Sequence, residues 1–275
     1  MGPGFVLKMI ARIGLVTALV FLATAPAFSA DSNWESTVTS SSPPTFPNPR
    51  PMQARYGFGW SGFPCATAEI RLSKGSGRIQ LDVGARTTGL ARALWKFDAT
   101  HTSSVDAESL RPIAVRQIEN DRGTHILTEL SFSQTGVVSK VTETPGPEPK
   151  VRRFDFPRLF DLQSAMLYLR SQSLQERNVQ RIVAYSATAP YLATVTVLGR
   201  ERVTVPAGTY NAIKFDLQLN RIKDGQLQPH RKFRRATAWL SDDADRVMLK
   251  MEAQVFIGSV VCELQSVDFL VPPKP

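Results

Sequence analysis

The sequence is poor in the residues that carry most metal and nucleophilic chemistry, since its 275 residues include two cysteines and three histidines. Neither Cys65 nor Cys262 has a second Cys or His at metal-ligand spacing, which argues against a zinc site. His101, His125 and His230 are scattered singly, and no G-x-S-x-G nucleophile motif occurs. We therefore expect surface histidines, no catalytic residue and no cofactor, with an enzyme as the less favoured interpretation.

A dense acidic stretch, "WLSDDADRV", carries Asp242, Asp243 and Asp245 between two predicted strands. A helix-loop-helix calcium loop needs more oxygen ligands and a bidentate Glu, and these are absent. Short acidic side chains favour turns because they bond the local backbone. We predict a turn, with a metal site as the weaker alternative. An envelope-polymer hydrolase that pairs these aspartates with a distant Glu69 or Glu201 is the least favoured interpretation.

The first 29 residues have the layout of a secretory signal peptide, with two basic residues, an apolar run and the small-residue exit "TAPAFSA". Cleavage after Ala27 or Ser29 fits this pattern, and Ser29 is slightly preferred. A retained N-terminal anchor is the alternative. We expect a periplasmic or secreted protein whose mature chain has no transmembrane segment.

The formal net charge is +9. In an exported protein this favours contact with anionic lipid or acidic glycans over nucleic acid. The basic run "RKFRR" at Arg231–Arg235 is interpreted as a solvated strand face. In an oxidising compartment Cys65 and Cys262 could form one disulfide. Two buried free thiols fit the same count, so both alternatives stay open.

Short alternating runs separated by turn residues dominate the chain, as in "CATAEIRLS", "KGSG" and "RIQLDVGAR". This pattern predicts a mainly antiparallel all-β fold, either a curved open sheet or a barrel-like one. One short helix is predicted around residues 162–173, with Asp161 as its N-cap. We expect a disordered Ser/Thr/Pro-rich leader at 30–54 and a single β-rich domain at 55–270.

Several segments in order resemble the exported bacterial family known as domain of unknown function 3108. They include "RYGFGWSGFPCATAEIRL", "GRERVTVPAGTYNAIKFDL" and "ATAWLSDDADRVMLKMEAQVFIGSVVCELQSV", within about residues 55–268. The resemblance implies a curved antiparallel sheet that holds a helix on its concave side. It implies no activity and no catalytic residues. One departure is that the family's usual proline after the acidic turn is absent from "RVMLKME".

The favoured function is a non-catalytic binding or carrier module of the cell envelope for a lipid or other hydrophobic ligand. Apolar residues in and near "TTGLARALWKF" could edge a cavity mouth, although the same residues could simply fill the core. The alternative is a structural or interaction protein that docks on an envelope partner or an anionic lipid surface. The candidate ligand-binding residues are Trp60, Leu90, Leu94, Trp95, Phe97 and Trp239.

Overall fold

The computed structural model describes residues 33–40, 49–229, 233–255 and 258–270. The predicted signal peptide at 1–29 lies outside the described residues. Within the described ranges, no helix combines the length and apolar character needed to cross a bilayer.

The described chain contains a 3-10 helix (Trp34–Thr37), two α-helices and a sheet of sixteen strands. The helices are α1 (Gly89–Leu94) and α2 (Leu162–Ser171). The strands are β1 (Met52–Trp60), β2 (Phe63–Gly75), β3 (Arg78–Thr87), β4 (Phe97–Asp106), β5 (Pro112–Asp121), β6 (Thr124–Phe132), β7 (Gly136–Thr144), β8 (Lys150–Asp155), β9 (Leu159–Phe160), β10 (Val179–Ser186), β11 (Ala189–Val205), β12 (Gly208–Lys223), β13 (Gln226–Pro229), β14 (Phe233–Ser241), β15 (Met248–Val255) and β16 (Ser259–Phe269).

Fifteen of the strands form one mainly antiparallel sheet in the order β8-β7-β6-β5-β4-β3-β2-β1-β16-β15-β14-β12-β11-β10-β9, and the short β13 pairs with β12 beside this order. The first and last strands pair with each other, since β1 is antiparallel to β16. They therefore join an N-terminal arm, β1 to β8, to a C-terminal arm, β9 to β16. The sheet is not closed, because its order ends at β8 on one side and at β9 on the other. The prediction of a curved, open all-β sheet is confirmed.

Local turn chemistry explains the antiparallel pairing of successive strands. Four hairpins turn on a residue followed by glycine, and both members have positive φ, the signature of a type I′ turn. The twist of this turn matches that of paired strands. The four pairs are Ser61–Gly62, Ser76–Gly77, Arg122–Gly123 and Asp224–Gly225.

Helix α2 begins where the sequence predicted, because Asp161 caps it. The Asp161 carboxylate accepts the backbone amide of Ser164 (2.9 Å), and the Ser164 hydroxyl accepts the amide of Asp161 (3.0 Å), which completes a capping box. The helix ends at Ser171, two residues before the expected end. It packs against β4, β9 and β10, with Leu167, Tyr168 and Leu169 buried.

The two arms curve until their inner faces meet. One hydrophobic cluster joins Val115 and Val137 of the N-terminal arm to Val183 and Leu192 of the C-terminal arm. Aromatic rings cross the same seam in a continuous series with centroid separations of 5.7, 6.3 and 6.2 Å. The series is Trp34, Phe156, Phe154 and Tyr185. Side-chain packing thus holds together two sheet ends that share no strand pairing.

Some described residues within the predicted leader at 30–54 pack on the sheet. Trp34 is 2% exposed and donates its indole N–H to the Gly225 carbonyl at 2.8 Å. The Thr39 amide donates to the Arg181 carbonyl at 2.9 Å. The segment is mostly polar in composition, but it contains one large aromatic ring, Trp34. Burial of that ring orders the residues around it. Strand β1 also begins at Met52, before the expected domain start.

Candidate functional site

Three of the six candidate ligand-binding residues lie together beneath helix α1. Trp95 is 1% exposed and Phe97 is fully buried, in one cluster with Cys65 and Val260. Trp60 is partly buried and packs against the same cluster. For Trp95 and Phe97, therefore, the structure shows core packing, which was the alternative to a cavity mouth.

Trp95 is fixed from several directions. Its ring lies 5.1 Å from that of Phe97, and its Nε1 donates to the Asp121 carboxylate at 2.6 Å. Thr87 donates its hydroxyl to the Trp95 carbonyl (2.9 Å) and accepts the Phe97 amide (3.1 Å). Helix α1 therefore lies on buried residues that hydrogen bonds hold in place.

Two further candidates, Leu90 and Leu94, point away from this base. They are 84% and 60% exposed, and their i, i+4 spacing puts them on one face of α1. Ala91 is buried instead. Phe63 of β2, which was not predicted as a candidate from the sequence, is 72% exposed at the same end of the sheet, where α1 packs on β2. We call Phe63, Leu90 and Leu94 the α1 patch.

Cations lie next to the α1 patch. The Arg122 amide donates to the Lys96 carbonyl (3.2 Å), and the Arg122 guanidinium reaches the Leu94 carbonyl (3.5 Å). Lys96 and Arg122 are exposed, and neither forms an ion pair within the described residues. The nearby Asp98 is neutralised by a two-pronged contact with Arg92 at 2.9 and 3.0 Å. The surroundings of the patch are therefore net positive.

Trp239 is not part of this site. It is 6% exposed on β14 of the C-terminal arm and donates its indole N–H to Glu201 at 2.7 Å. That bond, together with the ammonium group of Lys214, lowers the pKa of Glu201. The ammonium groups of Lys214 and Lys250 lie 5.5 and 5.8 Å from the Trp239 ring centroid. These contacts make Trp239 a packed and hydrogen-bonded residue of the sheet.

In the structure the three aspartates of the acidic stretch form a braced turn. Asp242 accepts a hydrogen bond from Arg200 (2.8 Å), and Asp245 accepts one from Arg50 (2.9 Å). Asp243 accepts the backbone amides two and three residues further on, at 3.0 and 2.9 Å. In the described part of the chain, no three His, Cys, Asp or Glu side chains are placed so that they could hold one metal ion together. Each carboxylate instead has an arginine or backbone partner.

The turn also holds helix α2 in place. Arg170 of α2 donates to the Asp245 carbonyl, and Arg246 donates to the carbonyls of Arg170 and Gln172 at 2.5 and 2.6 Å. Burial lowers the pKa of Arg170 to about 10. The loop between β14 and β15 and the end of α2 are thus joined by two arginines, of which Arg170 is buried and Arg246 is partly buried.

The glutamates considered for a hydrolase lie in separate surface contacts. Glu69 on β2 pairs with Arg55 at 3.1 Å and also accepts a hydrogen bond from Gln53 at 2.6 Å. Glu201 on β11 pairs with Lys214 at 3.2 Å. Ordinary ion pairs of this kind need no catalytic explanation.

In the structure both cysteines are free and buried, so the bridge left open by the sequence is not formed. Cys65 lies on β2 and Cys262 on β16, on opposite sides of β1. Strands two apart are separated by about 9.6 Å, whereas a disulfide needs Cα atoms within about 7 Å. Burial raises the pKa of the Cys65 thiol to about 11 and of the Cys262 thiol to about 12.

A row of buried polar residues, not predicted from the sequence, crosses the inner face of the N-terminal arm. The Gln117 amide donates to Glu119 at 2.7 Å, and its oxygen lies 3.4 Å from His101 Nδ1. His101 Nε2 lies 3.6 Å from the carboxylate of Asp161, the α2 cap. The expectation of a surface His101 is therefore wrong, since the residue is 6% exposed. Alternation along β4 was the available signal, because it puts His101 on the same face as Phe97 and Val105.

Burial and hydrogen bonding oppose each other at Asp161. Burial alone would raise the pKa of its carboxyl, but the contacts with His101 and Ser164 outweigh burial and lower it. Asp161 is therefore an anion that belongs to both the helix cap and the buried row.

The described residues of the basic run, and His125, make ordinary polar contacts. Arg231, Lys232 and His230 lie outside the described residues. Arg235 forms an ion pair with Asp216 of the neighbouring strand β12. His125 lies within 2.9 Å of the Asn120 side chain at the β5–β6 hairpin.

A solvent-open groove of about 720 Å³ lies on the outer face of the N-terminal arm, beside the α1 end. A methyl group built onto Gly84 would meet nothing within 4 Å, so the floor is open at that point. The lining includes Arg55, Glu69, Gly84, Arg86, Asp98 and Thr100.

These features define a class: a curved, open, antiparallel all-β domain with a helix on its inner face. The chain belongs to the family DUF3108, described as proteins of unknown function, whose model matches residues 53–265. No curated protein matches the chain.

One solved structure supports the fold. The chain is similar to a β-barrel-like protein of domain of unknown function DUF1849 from Brucella abortus, with a TM-score of 0.56 and 13% identity over 81% of this chain and 99% of that one. It also matches a protein from Bacteroides fragilis NCTC 9343, predicted to be exported and with a YmcC-like fold, at a TM-score of 0.31 and 7% identity over 81% and 98% of the two chains. A predicted lipoprotein from Parabacteroides distasonis ATCC 8503 matches at a TM-score of 0.34 and 7% identity over 81% and 97%.

Proposed function

We propose that this protein is an exported, non-catalytic module of the cell envelope that contacts an anionic lipid surface through the α1 patch. The observation that carries the proposal is the opposite exposure of neighbouring apolar residues. Trp95 is 1% exposed, whereas Leu90 and Leu94 are 84% and 60% exposed on the same short segment. Such a patch on a rigid base is typical of a surface that meets lipid or protein.

Charge favours lipid over a neutral partner. Lys96 and Arg122 lie beside the patch, and neither has an ion-pair partner among the residues that the structure describes. Each basic residue close to an anionic membrane contributes about 1 kcal/mol. Burying each of the three large apolar side chains would contribute roughly 1.5–3 kcal/mol. Together these terms support reversible attachment that weakens as salt screens the charges.

Attachment to a surface is a different mode from enclosure of a lipid. Large side chains fill the described inner face, among them Leu72, Phe97, Leu167 and Phe215. An acyl chain held inside the concave sheet would have to displace them. We therefore place lipid contact at the α1 patch, and the outer groove is the space available to a small carried ligand.

Vesicle binding tests the proposal. Full-length protein would be expressed in a bacterium, recovered without detergent, and sedimented with phosphatidylglycerol-containing or pure phosphatidylcholine vesicles. We expect binding to the anionic vesicles only, decreasing as salt rises. Leu90→Ser with Leu94→Ser should abolish binding, and Lys96→Glu with Arg122→Glu should weaken it.

A matched control separates the α1 patch from general exposure. Val179 is 50% exposed on β10, so Val179→Ser should bind vesicles as the unmodified protein does. If the double leucine variant also binds normally, contact through α1 is refuted.

Export is proposed from the N-terminal 29 residues and has its own test. Fractionation of the same cells should find the protein in the periplasm or medium, with a mass that corresponds to loss of those residues. Full-length protein retained in the cytoplasm would contradict an envelope function.

The carrier alternative is distinguished by native mass spectrometry of the detergent-free protein. A stoichiometric lipid that survives Leu90→Ser with Leu94→Ser would favour carriage in a separate site. A bare protein that still binds vesicles favours surface attachment.

A further inference from the structure

Strand β8 (Lys150–Asp155) is the open edge of the N-terminal arm. It pairs with β7 on one side, and no strand in the described ranges pairs with its other side. Five of its six residues are exposed, and Val151 is 61% exposed. An uncovered edge presents a row of backbone donors and acceptors that another extended chain can pair with.

The register identifies which backbone groups are available. The Phe156 amide, just beyond β8, donates to the Thr135 carbonyl at 2.8 Å. In an antiparallel ladder, residues alternate between those that bond the neighbour and those that point away from it. Because Phe156 bonds the β7 side, the backbone groups of every second residue before it, Phe154 and Arg152, also bond β7. The N–H and C=O groups of Val151, Arg153 and Asp155 therefore point to the free edge.

Charge restricts what can pair there. Lys150, Arg152 and Arg153 are exposed on β8, and Lys140 of β7 lies opposite Val151. None of these four cations forms an ion pair within the described residues. Strand β8 carries three of these cations against one anion, Asp155, so two copies would repel each other, which opposes self-pairing. An acidic chain would instead meet complementary charge.

We propose that β8 receives an acidic, extended segment of a partner protein as an additional strand. Backbone hydrogen bonds from the three outward-facing residues fix the added strand. Lys150, Arg152 and Arg153 select glutamate- or aspartate-rich segments, and Val151 provides an apolar contact. The site is separate from the α1 patch, because α1 packs on β2, which is six strands away from β8 in the sheet.

The test uses full-length protein and a synthetic probe peptide, acetyl-Glu-Thr-Glu-Val-Glu-Thr-Glu-amide, measured by isothermal titration calorimetry. The comparison peptide replaces every Glu with Lys. We expect saturable binding of the acidic peptide only. Hydrogen exchange should slow at β8 in the complex, because the outward amides become bonded.

Val151→Pro is the decisive variant, because it removes an outward N–H without changing charge or the bonds to β7, and edge strands tolerate proline. It should lower the affinity for the acidic peptide about tenfold or more, which corresponds to roughly 1.4 kcal/mol of binding free energy. Val151→Ala keeps the amide and should bind within about threefold of the unmodified protein. Arg153→Glu should weaken binding of the acidic peptide and strengthen binding of the lysine peptide.

Two results would overturn the proposal. If the acidic peptide does not bind, the proposal is refuted. Equal binding by Val151→Pro and Val151→Ala would show that attraction to a basic protein, rather than strand addition, accounts for the affinity.

Discussion

The two α-helices use their apolar residues in opposite ways. Helix α2 has ten residues, a complete capping box, and Leu167, Tyr168 and Leu169 buried. Helix α1 has six residues, no side-chain cap, and an apolar pair, Leu90 and Leu94, turned to solvent. Apolar spacing places residues on one face of a helix, but it does not say what that face meets.

The two helices differ in burial because they occupy different positions on the sheet. Helix α2 lies on the inner face, where β4, β9 and β10 surround it. Helix α1 lies between β3 and β4 in the chain, where β2 is its main contact and only Ala91 of the helix is buried. Folding therefore requires the apolar residues of α2, whereas those of α1 are free for a partner.

The largest effect should come from comparing one leucine of each helix. Leu167→Ala leaves a cavity in a packed cluster and should lower the free energy of unfolding by about 2–5 kcal/mol. Leu94→Ala, at an exposed position, should change it by no more than about 0.5 kcal/mol. Urea unfolding of both variants measures the contrast. Equal losses would mean that α1 supports the core as α2 does.

A smaller effect is expected at the α2 cap. Asp161→Asn should cost about 1–2 kcal/mol at neutral pH, because it weakens the cap and removes the charge beside His101. The folded pKa of Asp161 is lowered, so its contribution is present above the unfolded value of about 3.9 and is lost as pH falls through the folded pKa.

Unfolding measured from pH 7 down to pH 3 should therefore show the two proteins converging in stability at the acidic end. Asp242→Asn, in an exposed ion pair with Arg200, is the control and should cost at most about 1 kcal/mol. A difference between Asp161→Asn and the unmodified protein that does not change with pH would contradict the charge assignment.

The smallest effect concerns how often each helix region opens. Cys65 packs with Ala91 of α1, and Cys262 shares a cluster with Leu167 of α2. Reaction with a disulfide reagent should be slow for both, since burial raises both pKa values. Cys65 should react faster, because local opening at α1 costs less than opening the core.

The variants Cys65→Ser and Cys262→Ser assign the two rates. A single common rate would indicate that α1 and the core open together. An absence of free thiols in the oxidised protein would instead reveal the bridge that the structure does not form.

Much of the fold was predictable, because its determinants are local. Alternation and glycine turns indicated the strands, and Asp161 with its helical period indicated α2. Helix α1 was missed because "GLARAL" is shorter than two turns and gives no measurable period. Phe63 was missed because an exposed aromatic residue in a strand looks the same as a buried one in sequence.

Local sequence was enough to specify an antiparallel all-β chain with one capped helix, since neighbouring residues specify turns, alternation and caps. Long-range packing was needed to show that β1 pairs with β16, that Cys65 and Cys262 lie apart, and that Leu94 faces water while Trp95 does not. Those outcomes depend on contacts between residues far apart in the chain. Register and curvature set such contacts, and no short stretch of sequence encodes either one.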